Sequence, residues 1–222
     1  MASKKKGRRE VGFDTPQLVV RNEHQKEYYC NILSHDVTFG IGPAGTGKTF
    51  LAVATAIDAF EKGIVKRLVF TRPAVEAGEK LGFLPGDISE KVNPYLRPLY
   101  DSLYELIGEK TLLKMLEAKT VEIAPLAFMR GRTFKDTFVI ADEAQNTSIT
   151  QMKMLLTRLG DGSKMVITGD ITQIDIDQRI KSGLLDAIQR FVGIPEISIV
   201  QFDAQDIVRH PLIHKILSAY GE

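Results

Sequence analysis

Eight consecutive residues, Gly42-Pro43-Ala44-Gly45-Thr46-Gly47-Lys48-Thr49, constrain this chain more than any other feature. They fill every fixed position of the phosphate-binding loop pattern G-x-x-x-x-G-K-[ST]. They also follow the apolar run Val37-Thr38-Phe39-Gly40-Ile41, which reads as a buried strand. The glycines let successive backbone N–H groups point inward without obstruction by a Cβ, and a helix beginning near Gly47 adds its positive N-terminal end. The residues therefore imply a nucleoside triphosphate site, with Lys48 reaching the β- and γ-phosphates and Thr49 Oγ1 meeting Mg²⁺. A loop alone names no reaction.

A second run narrows the chemistry. Thr137-Phe138-Val139-Ile140-Ala141 is a continuous apolar strand that ends at Asp142-Glu143. Open α/β sheets bind ligands at the carboxyl ends of their strands, so this acidic pair falls at the ligand edge. There Asp142 is placed to hold Mg²⁺ and Glu143 to polarise a water for in-line attack on the γ-phosphate. That pairing points to hydrolysis. A small-molecule kinase needs no water-activating Glu, because its acceptor is a substrate hydroxyl.

At 222 residues the chain has room for one such domain, and a core of that size needs no covalent staples. Lys and Arg total 29 against 28 Asp and Glu, so net charge argues for no particular partner and any basic surface must be local. The only cysteine, Cys30, cannot close an internal disulfide; the expectation is a buried thiol and a reducing, cytoplasmic setting. No run is long and apolar enough to span a membrane or to serve as a signal peptide. His24, His35, His210 and His214 show no metal-ligand spacing with Cys or carboxylates.

Residues 1–12 form a basic arm rich in Lys and Arg, and residues 13–222 read as a single domain. Strands are expected near 37–41, 67–71, 121–124, 137–141, 165–169 and 197–202, with helices over 47–62, 148–159, 182–191 and 212–220. Asn146 or Thr147 is the candidate cap for the second of these helices. Strands alternating with helices and no repeat predict an α/β fold, a doubly wound, mostly parallel sheet of the three-layer P-loop NTPase kind. The interval 72–120 stands out as an insertion with a leucine-bearing helical stretch through Leu99, Leu103, Leu106, Leu112, Leu113 and Leu116. It serves either as a specificity element or as a packing lid.

With Val166-Ile167-Thr168-Gly169-Asp170-Ile171-Thr172-Gln173 added, three strand-end motifs are in place, and the whole resembles the PhoH family of ATPases, itself similar to the first, RecA-like motor domain of superfamily-1 helicases. The blocks that carry the resemblance are Thr71-Arg72-Pro73, Val75-Glu76-Ala77-Gly78-Glu79, Leu81-Gly82-Phe83-Leu84-Pro85-Gly86, Asp142-Glu143-Ala144-Gln145-Asn146 and Ser182-Gly183-Leu184. It implies ATP as the nucleotide and an association with RNA. Gln25 then sits where the helicases place an adenine-reading Gln; from the residue alone, a surface Gln is equally consistent. Gln173 would contact the γ-phosphate or the attacking water through its amide.

Arg130-Gly131-Arg132-Thr133-Phe134 mixes guanidiniums with an aromatic ring, which suits single-stranded RNA; a charged turn with Phe134 in the core is the rival. Arg72, at the end of the second strand, is a similar candidate for nucleic acid. Asp175 and Asp177 read as solvated loop charge. A helicase closes its ATP site between two motor domains, the second donating an arginine, and one domain cannot do that alone. The expectation is therefore a homo-oligomeric ring, a hexamer by analogy with related motors, in which Arg209 of one subunit completes the site of the next. The competing class is an ATP-dependent protein-interaction switch that never touches nucleic acid.

Overall fold

The computed structural model describes residues 19–73, 88–177, 179–208 and 212, with 88–94 described in their backbone alone. Six strands, β1 (Val37–Ile41), β2 (Arg67–Arg72), β3 (Val121–Pro125), β4 (Thr137–Ala141), β5 (Lys164–Gly169) and β6 (Ile197–Gln201), form one sheet in the order β3-β2-β4-β5-β1-β6. Every pairing is parallel. All six fall within about a residue of the runs expected from sequence, because the central strands β1 and β4 are buried throughout and the others are mostly apolar. The result is a P-loop NTPase α/β fold.

Period-two alternation divides the core into two layers. Leu68, Phe70, Phe138, Ile140, Val166 and Val200 face α1 (Glu23–Ser34), α2 (Lys48–Glu61), α3 (Ile88–Ile107) and α4 (Glu109–Glu117). Val37, Phe39, Val69, Val139, Met165 and Ile167 face α5 (Ile149–Leu156) and α6 (Gly183–Arg190). The leucines at 99, 103, 106 and 112 belong to the first layer, so the interval between β2 and β3 supplies core as it crosses over. Its helical stretch is two helices, broken where Gly108 takes φ 73°, and Leu113 points to solvent.

Three local expectations need correction. Helix α1 was not anticipated: its inward stripe is Gln25, Tyr28 and Ile32, too short and too polar to stand out by periodicity. The same stripe turns Cys30 outward, so that thiol is exposed. Helix α5 is capped by Ser148, not by Asn146 or Thr147: Ser148 Oγ accepts from Gln151 N while the Gln151 side chain accepts from Ser148 N. The helix expected over 212–220 lies outside the described residues, save Leu212.

Candidate nucleotide site

The phosphate loop leaves β1 and enters α2 at Gly47, and it is held from three directions. Gly42 N donates to Gly169 O of β5 at 3.1 Å, and Gly45 O accepts from Val208 N at 2.9 Å. Gln25 Nε2 donates to Thr46 O at 3.0 Å. Gly42 has φ 148°, and a Cβ there would sit 2.4 Å from Phe202 O, so no other residue fits this corner. Gln25 is 4% exposed, and its Oε1 accepts from Arg21 N at 2.9 Å. Both ends of that amide therefore act within the protein, where they clamp α1 to the loop.

Lys48 Nζ donates to Gly42 O and Pro43 O, each at 2.7 Å, and to Thr46 Oγ1 at 3.2 Å. Burial lowers its pKa, opposed by the carboxylates of Asp170, Asp142 and Glu143. A phosphate approaching this ammonium exchanges loop carbonyls for stronger, charged acceptors. Beside it, Asp142 Oδ1 accepts from Thr49 Oγ1 at 2.8 Å and from Thr168 Oγ1 at 2.6 Å. Strand β5 lies between β1 and β4, which is why Thr168 can reach the carboxylate. Asp170, the residue after β5, accepts at Oδ1 from Thr172 N and Oγ1, while its buried Oδ2 has no hydrogen-bond partner.

These donors fit a magnesium ion. Thr49 and Asp142 offer hard oxygens, and the orphaned Asp170 Oδ2 suits one of the waters that Mg²⁺ keeps when bound. Only Thr49 and Asp142 were foreseen; Thr168 and Asp170 join them through the sheet order.

Glu143 follows Asp142 in the left-handed region, at φ 53° and ψ 38°, a conformation that costs a non-glycine residue about 1–2 kcal/mol. Such strain persists where the surroundings over-determine it. Here Arg72 Nη2 pairs with Glu143 Oε1 at 2.9 Å, and Gln145 Nε2 donates to Glu143 Oε2. Gln145 is 1% exposed and also donates to Gln173 O at 3.2 Å, while its Oε1 accepts from Asp170 N at 3.1 Å. One buried amide thus links the ends of β4 and β5. Gln173 lies at this junction through its main chain, and its side chain is exposed.

The residues expected at a nucleic-acid surface divide. Arg132 forms a two-pronged pair with Glu122, at 2.6 and 2.7 Å, and its guanidinium lies 5.0 Å from the centre of the Phe134 ring. Phe134 is 2% exposed, so it belongs to the core and offers no face for stacking. Arg130 is exposed, and among the described residues no ion pair holds its side chain. The exposed aromatic is Phe128, at 58%, which the sequence reading passed over. Arg209 lies outside the described residues. Asp206, just before it in the chain, accepts from His24 Nδ1 at 2.7 Å and from Asp203 N at 2.8 Å. That contact raises the His24 pKa, chiefly through the hydrogen bond. It also gathers His24, Asp203 and Asp206 with ligand atoms within 4.8 Å of one another, a proximity that capping of the 204–206 turn explains. Asp177 is exposed and pairs with Arg179, as solvated loop charge does. Among the described residues no helix is long and apolar enough to cross a membrane.

The family model described as PhoH-like protein matches residues 17–221. A PhoH-like protein of Bacillus subtilis is 56% identical over 203 residues, covering 91% of this chain and 64% of that protein. One from Mycobacterium tuberculosis is 53% identical over 89% of this chain and 56% of its own length. Protein PhoH of Escherichia coli is 46% identical over 94% and 59% respectively. The chain therefore spans less than two thirds of the length of these relatives. Among solved structures, a Pif1 helicase from Candida albicans aligns with TM-score 0.49 and 14% identity over 90% of this chain and 43% of that one, too distant to bear on function.

Proposed function

The chain belongs to the PhoH family, and from that premise we propose that it is an Mg²⁺-dependent ATPase whose hydrolysis is coupled to single-stranded RNA. One observation carries the reading: Thr49 of the loop donates to Asp142 just past β4, next to Glu143, and Lys48 at the start of α2 feels the charge of Asp170, Asp142 and Glu143. In that arrangement Lys48 and the loop N–H groups bind the β- and γ-phosphates. Thr49 and Asp142 would hold Mg²⁺, which when bound neutralises phosphate charge and draws electrons from the bridging oxygen. Glu143 orients a water and takes up its proton as the new O–P bond forms and the bond to the ADP oxygen breaks. Gln173 serves the same water or the γ-phosphate through its exposed amide. Gln25 is retained for the adenine side, with its loop clamp setting where the base would lie.

Transition-state charge on the far side of the γ-phosphate calls for an arginine, which typically contributes about three to five decades in rate. Arg209 of a neighbouring subunit in a ring is the proposed source. Mixing Arg209→Ala with Lys48→Ala protein tests it: recovery of turnover in exchanged mixtures supports the ring, and none refutes it. RNA contact is assigned to Arg130 and Arg72: Arg132 is held at both prongs by Glu122, whereas the contact given between Arg72 and Glu143 runs through one guanidinium nitrogen. The principal test measures ATP turnover with and without single-stranded RNA. Lys48→Ala should weaken triphosphate binding, and Glu143→Gln should keep binding while losing roughly two to four decades of turnover. Turnover by Glu143→Gln at the parent rate would refute the assignment of the base, and indifference to RNA would favour the protein-interaction switch.

A further inference from the structure

The catalytic carboxylate is not free in this structure, and what holds it lies on the route to the outer face. Glu143 Oε1 is paired with Arg72 at 2.9 Å and Oε2 is held by Gln145. The two anchors differ in kind. Gln145 is fully buried and rooted in Asp170 N and Gln173 O, so it cannot leave without orphaning the buried Asp170 N–H. Among the described residues Arg72 is otherwise rooted by one bond of 3.3 Å from Nη1 to Tyr95 O, and its side chain is 20% exposed. A partly exposed guanidinium can exchange one anion for another.

The neighbouring surface offers that anion a seat. In the β2–β3 ladder Arg72 stands opposite Pro125, and the short turn Leu126–Met129 that follows carries Phe128, 58% exposed. Arg130 comes next, exposed and with no side-chain ion pair among the described residues. An exposed ring beside guanidiniums matches a single strand, whose bases stack and whose phosphates bind charge. Glu143 thus follows β4, one strand inward of Arg72, while Phe128 and Arg130 lie on the turn that follows β3, the strand on the other side of β2.

Resting on the RNA reading above, we infer that the Arg72–Glu143 pair is a latch on hydrolysis: single-stranded RNA docks on Phe128 and Arg130, takes the Arg72 guanidinium on a phosphate, and so releases Glu143 to orient water. Gln145 remains as the anchor that aims the freed carboxylate. Arg72 is a positioning residue in this scheme; it touches neither ATP nor water. The arrangement supplies a reason for the left-handed backbone at Glu143, which turns the side chain toward β2 and away from a purely local cap.

The test uses Arg72→Gln, which keeps hydrogen-bond donors toward Tyr95 O and Glu143 but removes the charge, with Arg72→Ala as a second variant and thermal melts of both. In Arg72→Gln the basal turnover number should rise by about tenfold, within the usual range of coupling between sites, while the KM for ATP stays near the parent value. The ratio of RNA-stimulated to basal turnover should collapse to about one. Phe128→Ala should raise the RNA concentration for half-maximal stimulation by about tenfold. A parent enzyme that single-stranded RNA does not stimulate overturns the RNA reading and the latch together. A stimulated parent with Arg72→Gln equally stimulated, or with lower basal turnover in a variant that melts like the parent, overturns the latch alone.

Discussion

Gln145→Met is the sharpest perturbation of this site, because it changes three bonds and almost no volume. Gln145 sits 1% exposed between the ends of β4 and β5. Methionine removes the acceptor of Asp170 N and the donor to both Gln173 O and Glu143 Oε2. Gln173 is exposed, so water can take its carbonyl; Asp170 is 5% exposed, so its N–H is left without a partner. An orphaned buried donor costs about 1–3 kcal/mol, and the volume-conserving swap adds less than about 1.5. A destabilisation of about 2–3 kcal/mol corresponds to roughly 4–12 °C in Tm for a chain of this size. Turnover falls as well, by up to about a hundredfold, since Glu143 loses the anchor that aims it, whereas triphosphate binding persists because Gln145 bonds to no loop residue. Urea unfolding, a nucleotide-binding titration and an ATPase assay separate these effects. Stability within about 0.5 kcal/mol of the parent would show that the amide bridges nothing of consequence, and a parallel loss of nucleotide affinity would show that it acts through the loop.

The Arg132–Glu122 pair should act on stability and its pH dependence. Arg132 holds the Glu122 carboxyl below its ordinary value, mainly by hydrogen bonding, so the stabilisation is fully present above the unfolded carboxylate value and is lost as pH falls through the lower folded one. Arg132→Gln should cost about 1 kcal/mol at neutral pH, since both side chains are 29% exposed, and urea titrations near pH 3 should show that difference shrinking; a constant difference would point to packing on Phe134 instead. Arg130→Ala should flatten the salt dependence of single-stranded RNA affinity by about one unit, and Arg132→Gln should not; equal slopes would return Arg132 to the RNA surface. Gly40→Ala places a Cβ 2.6 Å from the Tyr28 ring, which is fully buried and edge-on to Phe202 at 5.4 Å, so it should destabilise by about 1–3 kcal/mol. Adding Tyr28→Leu should cost less than the sum of the two single changes, and strict additivity would mean the ring is not what the methyl meets.

Residue chemistry makes some of this molecule readable from sequence and leaves the rest to the sheet. The strands were legible because each is a short, mostly apolar run, buried throughout in β1 and β4; α1 was not, because the residue it turns inward at Gln25 is polar and serves the loop. Lys48, Thr49, Asp142 and Glu143 stand out in the sequence because the phosphate-loop pattern and an acidic pair at a strand end are motifs of fixed spacing, and the structure brings Thr49 to Asp142. Phe134 could not be assigned by type, since an aromatic beside arginines stacks on a base or fills a core with equal ease, and its 2% exposure decides for the core. What no spacing rule could show is lateral order. Strand β4 lies between β2 and β5, so the residues that end these three strands, Arg72, Glu143 and Asp170, stand side by side although they are far apart in the chain. Motif reading runs along the sequence and recovers each strand end separately. Contacts run across the strand ends, from Arg72 to Glu143 and, by way of Gln145, to Asp170 and Gln173. Under the proposed latch, a strand bound at the β3 edge acts through the Arg72–Glu143 pair, whose Arg72 end keeps, among the described residues, only the bond to Tyr95 O besides.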